Sequence, residues 1–310
     1  MAVTLSIVIP IYNEQGNLQM LFARLERILA ELGLAYEIIC VNDGSRDNSL
    51  EELVLHHLKN PTIKVVNLSR NFGKEIAMSA GIDHATGQAI IPIDADLQDP
   101  PELIGELVTQ WQAGHDVVYA TRRSRQGETW LKRFTAQAFY NTITRLSPVD
   151  IPANTGDFRL MDRRVVEAIK QMPERTRFMK GMFTWVGYRQ TAVFFDRDPR
   201  LSGESTWNYW KLWNFALDGI TSFSTVPLKV WLYLGCSVSL VALLYALFLF
   251  GRTLIFGVDV PGYTSLMVAV LFFGGVQLIT LGVIGEYLGR VYEEVKGRPL
   301  YFVRDTFGFE

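Results

Sequence analysis

Three short stretches place acids and amides directly behind apolar runs. Pro10-Ile11-Tyr12-Asn13-Glu14 follows LSIVI, Val41-Asn42-Asp43-Gly44-Ser45 follows EIIC, and Asp94-Ala95-Asp96-Leu97-Gln98 follows AIIPI. One such stretch is ordinary turn chemistry, because Asn and Asp-Gly favour turns. Three of them can gather polar groups on one rim. Asp94 and Asp96 carry the most chemistry. Side chains two apart on an extended chain point the same way. Two carboxylates on one face repel unless a cation lies between them. A hard divalent ion with oxygen ligands, Mg²⁺ or Mn²⁺, resolves that repulsion and typically bridges to substrate phosphates. Gln98, two residues further on, offers a carbonyl oxygen.

These stretches need elements to position them. Strand patterns are expected at Leu5–Ile11, Glu37–Asn42, Lys64–Leu68, Ala89–Ile93 and Val117–Ala120, with amphipathic helices between. The first helix is the clearest. Leu18, Leu21, Leu25, Ile28, Leu29 and Leu32 share a stripe, with Asn17 as its expected cap. A β-α-β-α rhythm with apolar strands implies a mostly parallel sheet covered by helices. Ligands in such sheets bind beyond the carboxyl ends of the strands, where the three stretches lie.

The remaining composition narrows the class. The chain has 310 residues and a formal net charge of -2, which gives no overall signal for nucleic acid. The two cysteines, Cys40 and Cys236, lie in apolar runs and suit a reducing compartment rather than a disulfide or metal site. None of His56, His57, His84 and His115 has metal-site spacing with another. The start, MAVTLSIVIPIYNEQ, reads as a first strand rather than a signal peptide.

Near the C-terminus the chemistry changes. Val230 to Phe250 and Val260 to Gly285 contain no charged residue. About 20 apolar residues cross the hydrocarbon core, so both runs are expected to span a membrane as a hairpin. Lys211 and Lys229 precede the first run, Arg290, Lys296 and Arg298 follow the second, and only Arg252 lies between. The positive-inside rule puts both ends, and the large N-terminal region, in the cytoplasm. Trp207, Trp210, Trp213, Leu217 and Ile220 recur at helical spacing just before the first run, as in a helix lying at the membrane surface. The expected organisation is a cytoplasmic domain over residues 1–205, an interfacial helix over 206–226, a hairpin over 227–289 and a cytoplasmic tail over 290–310. The aromatic-rich tail suggests docking on the catalytic domain or on a neighbouring copy in a homo-oligomer.

SIVIPIYNE (6–14), VNDGS (41–45), NFGKEIAMSAG (71–81) and DADLQDPP (94–101), taken as an ordered series, resemble the inverting glycosyltransferases of family 2. That resemblance implies an α/β, Rossmann-like GT-A fold. It implies that Pro10, Tyr12, Glu14 and Asp43 surround a nucleotide, with Lys74 lining the same pocket. It implies that Asp94 and Asp96 hold a metal against the diphosphate. With ATRR (120–123), NTGDFRLMDR (154–163), RLSGEST (200–206) and two spans, the chain is similar to the polyprenyl-phosphate glycosyltransferases, and looks closer to the bactoprenol glucosyltransferases than to dolichyl-phosphate mannose synthase.

The resemblance implies metal-dependent transfer of a hexose, glucose from UDP-glucose, to undecaprenyl phosphate with inversion, at the inner membrane. Two alternatives are a mannose synthase using GDP-mannose and a non-catalytic sugar-nucleotide-binding membrane protein. Asp157 matches the acid of the acceptor-side motif. It fits a general base, a group orienting phosphate or a sugar hydroxyl, or an ion partner of Arg159. The acceptor phosphate needs cations, and arginine's planar fork suits it. Arg122, Arg133 and Arg200 are the candidates, with Ser205 as a hydrogen-bond donor; Thr206 and Trp207 stand where the motif often has a lysine. A processive synthase is disfavoured, since no Gln-x-x-Arg-Trp motif occurs.

Overall fold

The computed structural model describes residues 3–123, 155–172, 174–175, 177, 179–195, 226–256 and 262–309. The chain divides into two compact units, residues 1–219 with 298–310, and residues 220–297. The expected interfacial helix, with its tryptophan stripe, lies outside the described residues, as do Arg133, Arg200 and Ser205.

The first unit is built on an eight-stranded sheet. Its strands are β1 (Leu5–Ile11), β2 (Tyr36–Asn42), β3 (Ile63–Leu68), β4 (Ala89–Pro92), β5 (Val117–Arg122), β6 (Thr155–Asp162), β7 (Gln190–Phe195) and β8 (Val303–Phe307). They lie in the order β7-β5-β6-β4-β1-β2-β3-β8. The β1–β2, β1–β4, β2–β3 and β5–β7 pairs are parallel; β4–β6, β5–β6 and β3–β8 are antiparallel. The sheet is thus mostly parallel, with reversed strands at two places. Covering it are α1 (Gln15–Leu32), α2 (Ser49–Lys59), α3 (Lys74–His84), α4 (Ile104–Gln112), α5 (Arg163–Lys170) and α6 (Met179–Trp185).

Period-two burial explains the layering. Leu5, Ile7, Ile9 and Ile11 join the Leu18, Leu21, Phe22 and Leu25 stripe of α1 in one core cluster. The intervening Val8 meets α3, where a Cβ on Gly81 would lie 2.3 Å from Val8 Cγ1. Only glycine lets α3 approach that closely. With helices on both faces, β1 is buried almost throughout, which accounts for its apolar run from Ile7 to Ile11. Asn17 does not cap α1. The helix starts at Gln15, and Asn17 sits inside the first turn, donating its amide to Glu14 Oε2 at 2.6 Å. The Asn17 N–H is already taken by the Glu14 carbonyl at 2.9 Å, so the helix begins before the residue expected to cap its start. His56, on α2, places its ring 4.4 Å from that of Phe22.

The second unit holds α7 (Val226–Phe256, 31 residues) and α8 (Tyr263–Val295, 33 residues), which contact each other. At 1.5 Å per residue each exceeds a ~30 Å hydrocarbon core. Among the described residues one segment, Phe272–Val295, is long and apolar enough to cross a membrane, with mean hydropathy 1.3. It begins later than the expected Val260–Gly285 run. Beyond α8 the chain enters β8 within seven residues and pairs with β3, so the tail docks on the sheet of its own chain.

Candidate active site

The three polar stretches meet at the carboxyl rim of β1, β2 and β4. The loop after β1 is knitted to the loop after β2. Asn13, at φ +56, donates its N–H to Ser45 Oγ at 3.0 Å and accepts from Arg46 N at 2.7 Å. Glu14 N donates to Ser49 Oγ at 3.1 Å. Pro10, next to last in β1, is half-buried, and Tyr12 stands 41% exposed on the rim. An open phenol ring there is free to stack on a planar base. The Glu14 carboxylate, expected at the nucleotide, engages Asn17.

Asp43 is buried, and its two oxygens accept from Phe72 N at 2.7 Å and Gly73 N at 2.9 Å. Burial raises its pKa, while those amides and Arg70 oppose the rise. Asp43 therefore ties the loop after β3 to the loop after β2. The neighbouring Gly44 has φ +66, and a Cβ there would lie 2.6 Å from Asn71 N. This is a close backbone crossing that other residues cannot make without a shift.

Lys74 opens α3 directly after this crossing. Its ammonium lies 2.7 Å from Asp94 and 2.7 Å from Asp157 Oδ2. One cation thus joins the acid after β4 to the acid on β6, 83 residues from Lys74 in sequence. Burial works against the Lys74 charge, but the two carboxylates, Asp157 foremost, raise its pKa well above the ordinary value. Asp157 is 7% exposed. Burial alone would raise its pKa; Lys74, Lys180 and Arg159 outweigh that and hold the carboxyl well below the usual range. Its ion partner is Lys74, whereas Arg159 donates to Gly156 O at 2.8 Å and stacks 4.1 Å from the Phe183 ring centroid. Asp157 Oδ1 is buried with no hydrogen-bond partner among the described residues.

Glu75 and Lys180 also belong to this cluster, and the sequence did not reveal them as site residues. Burial and Asp157 push the Glu75 carboxyl up to about 7, against Lys74, Lys180 and the Met179 N–H. In sequence Glu75 reads as a helix first-turn acid, one step from the lysine in NFGKE.

The Asp94–Gln98 segment differs from the extended chain expected. β4 stops at Pro92, and residues 95–96 turn, with Leu97 at φ +59. Alternation survives in burial. Ala95 and Leu97 are buried, while Asp94, Asp96 and Gln98 are partly open. Gln98 N donates to Asp96 Oδ1 at 3.2 Å. The donors offered to a cation are carboxylate and amide oxygens, and Asp94 already draws the Lys74 ammonium. This set fits a hard divalent ion. Among the described residues no three His, Cys, Asp or Glu side chains gather tightly enough to hold one unaided. Arg122 closes β5 with Nη2 4.0 Å from the buried Asp99. Gly156 lies between, its Cβ position 3.9 Å from Arg122 Nη2. Arg122 is thereby brought beside the residue preceding Asp157.

Over residues 6–170 the chain matches the family described as Glycosyl transferase family 2. The chain belongs to that family. Residues 226–291 match a second family, the GtrB C-terminal hairpin. An uncharacterized glycosyltransferase of Synechocystis sp., sll0501, is 69% identical over 310 residues, covering 100% of this chain and 98% of its own. The SfII prophage-derived bactoprenol glucosyl transferase of Shigella flexneri is 47% identical over 302 residues, covering 97% of this chain and 98% of its own. A prophage bactoprenol glucosyl transferase homolog of Escherichia coli is 47% identical over 300 residues, with the same coverage. This glycosyltransferase thus carries the GT-A-like sheet of its family with the Lys74–Asp94–Asp157 cluster at its carboxyl rim.

Proposed function

We propose that this glycosyltransferase transfers glucose from UDP-glucose to undecaprenyl phosphate, a polyprenyl phosphate, at the cytoplasmic face of the inner membrane. The observation that carries the reading is the shared Lys74 ammonium, which joins the donor-side Asp94 to the acceptor-side Asp157. The relatives named bactoprenol glucosyl transferase, 46–47% identical along nearly the whole chain including the hairpin, supply the substrate class. The Phe272–Val295 segment supports membrane association, and the flanking lysines and arginines support two spans with both ends cytoplasmic.

In this reading Tyr12 and the loops after β1 and β2 receive the nucleotide. Asp94 and Asp96, with the Gln98 carbonyl, would hold Mg²⁺ or Mn²⁺, whose chemistry there is to neutralise charge gathering on the leaving diphosphate. The acceptor phosphate oxygen attacks the anomeric carbon as the bond to the nucleoside diphosphate breaks, and configuration inverts. A phosphate monoester has a second pKa of about 6, so the nucleophile is mostly ionised at pH 7 without a strong base. A carboxyl held as low as Asp157 is a weak proton acceptor. Asp157 instead keeps Lys74 in place and orients the acceptor side, while Arg122, Arg133, Arg200 and Ser205 bind the phosphate.

The test is transfer of labelled sugar from UDP-glucose and from GDP-mannose to undecaprenyl phosphate, with and without each metal. Transfer from UDP-glucose is expected, lost in Asp96→Ala. Folded protein that transfers from neither donor overturns the reading, and an active Asp96→Ala overturns the metal assignment.

A further inference from the structure

A row of side chains crosses four adjacent strands at the carboxyl rim. The register aligns Ile11 with Asn42, Asn42 with Asn67, and Asn67 with Asp305. The polar members are linked. Asn67 Nδ2 donates to Asp305 Oδ2 at 2.9 Å, and Asn42 Nδ2 donates to Asn67 Oδ1 at 2.9 Å. Asn42 Oδ1 then accepts from Ser45 N at 3.2 Å, and Ser45 Oγ accepts from Asn13 N. Asn42 and Asn67 are buried, so each amide must be satisfied within the row.

The row has a direction, set by its end. A carboxylate only accepts hydrogen bonds, whereas an amide offers one accepting and one donating side. Asp305 therefore forces Asn67 to present its NH₂. Asn67 then offers its oxygen to Asn42, and Asn42 is left with its own oxygen aimed at the loop N–H of Ser45. β8 braces the neighbouring loop too. Phe302 O accepts from Ser69 N at 2.9 Å where the register shifts beyond Asn67. The segment that follows is the one held by Asp43 and crossed by Gly44.

We propose that Asp305 is a positioning residue for the donor site, ordering the loops after β2 and β3 through Asn67 and Asn42. This rests on the proposed donor reading of those loops. It gives the C-terminal strand a role in nucleotide binding although no residue of β8 belongs to the motifs at the rim.

Three full-length variants test it. Asp305→Lys replaces an acceptor by a donor and reverses the polarity the row needs. Asp305→Leu removes the partner. Asp305→Asn keeps an accepting oxygen. Asp305 lies half exposed on an edge strand, where lysine is well tolerated. Losing one part-buried hydrogen bond of ordinary strength predicts a roughly three- to tenfold weaker Kd for UDP and a matching rise in the UDP-glucose KM for the lysine and leucine variants. The undecaprenyl phosphate KM should stay within about twofold, and Asp305→Asn should bind UDP as wild type does, on the same polarity argument.

Hydrogen exchange gives a ligand-free readout. Amides over 42–49 and 69–73 should exchange several-fold faster in Asp305→Lys, with β7 unchanged. Unchanged exchange, an equal rise in both KM values, or an asparagine variant as weak as the lysine one overturns the proposal. Wild-type protein that binds neither UDP nor UDP-glucose overturns the donor reading instead, and the exchange result still decides the brace.

Discussion

Replacing Glu75 by glutamine should stabilise the catalytic unit at pH 8 far more than at pH 5. Burial and the ionised Asp157 push the Glu75 carboxyl from the ordinary 4.5 up to about 7. In the unfolded chain it titrates near its ordinary value, so between those two pH values the native state binds more protons than the unfolded one. Stability therefore falls as pH rises through this window and levels off above it. At 1.36 kcal/mol per pH unit the full cost is about 3 kcal/mol at pH 8 and below about 1 kcal/mol at pH 5. Glutamine removes that cost and can still accept from Met179 N, which Glu75 Oε2 now does at 3.2 Å. Cys40 offers an internal probe, since it is fully buried in β2 and reacts only when the sheet opens. Labelling with a pyridyl disulfide, followed on the Cys40 peptide by mass spectrometry, compares opening in the two proteins. The thiol's own pH dependence cancels in the ratio. Labelling of the variant relative to wild type should slow by roughly two orders of magnitude between pH 5 and pH 8. A ratio that does not change with pH would refute the assigned Glu75 environment.

Other perturbations probe the same rim. Lys74→Met leaves the buried Asp157 without its nearest cation, and because the Lys74 side chain is itself 44% exposed the cost should be about 1–3 kcal/mol, read by the same Cys40 labelling; sugar transfer should fall with it, and a variant as stable as wild type refutes the ion bridge. Gly44→Ala puts a Cβ 2.6 Å from Asn71 N at φ +66 and should destabilise by about 1–3 kcal/mol while raising the donor KM. An unaltered donor KM would show that this crossing does not shape the donor site. Arg122→Ala should raise the undecaprenyl phosphate KM more than the UDP-glucose KM, and the opposite order would move Arg122 from the acceptor to the donor side.

The strands that build the rim were legible because a parallel sheet covered on both faces demands long apolar runs. β1 was predicted at Leu5–Ile11 and is found there, and β2 to β5 differ from expectation by one or two residues at their ends. β6 was not legible. Its sequence TGDFRLMD alternates only over Asp157–Leu160, and the charges of Asp157 and Arg159 fill buried positions where apolar residues are expected, so no apolar run marks the strand. Charges at those positions are affordable only because they answer one another and Lys74. The same exchange of partners hid the site's closing contact. Lys74, Asp94 and Asp157 meet because β6 runs antiparallel beside β4, and no spacing in the sequence states that pairing. β8 was hidden for a simpler reason. An edge strand has one neighbour and an open face, and VRDTF is as polar as an ordinary solvated tail.

The charge pattern of the cluster bears on the reaction. Lys74, Lys180 and Arg159 act on Asp157, Lys74 also reaches Asp94, and burial and Asp157 keep Glu75 protonated up to about pH 7. With Glu75 neutral, Lys74, Lys180 and Arg159 bear on one buried carboxylate, Asp157, with Asp94 as the second partner of Lys74. In the proposed reading the site takes in a diphosphate and a phosphate, and cations there offset the repulsion between two anions brought together in a partly buried cleft. An ionised Glu75 would add a further negative charge beside them. The low Asp157 pKa and the high Glu75 pKa are therefore two results of one arrangement: of these two acids, the one that Lys74 contacts takes the charge and the other gives it up. On this argument Glu75→Gln should keep transfer activity at pH 8, since it fixes the neutral form that the phosphates require, whereas Lys180→Gln should weaken binding of both phosphate-bearing substrates together.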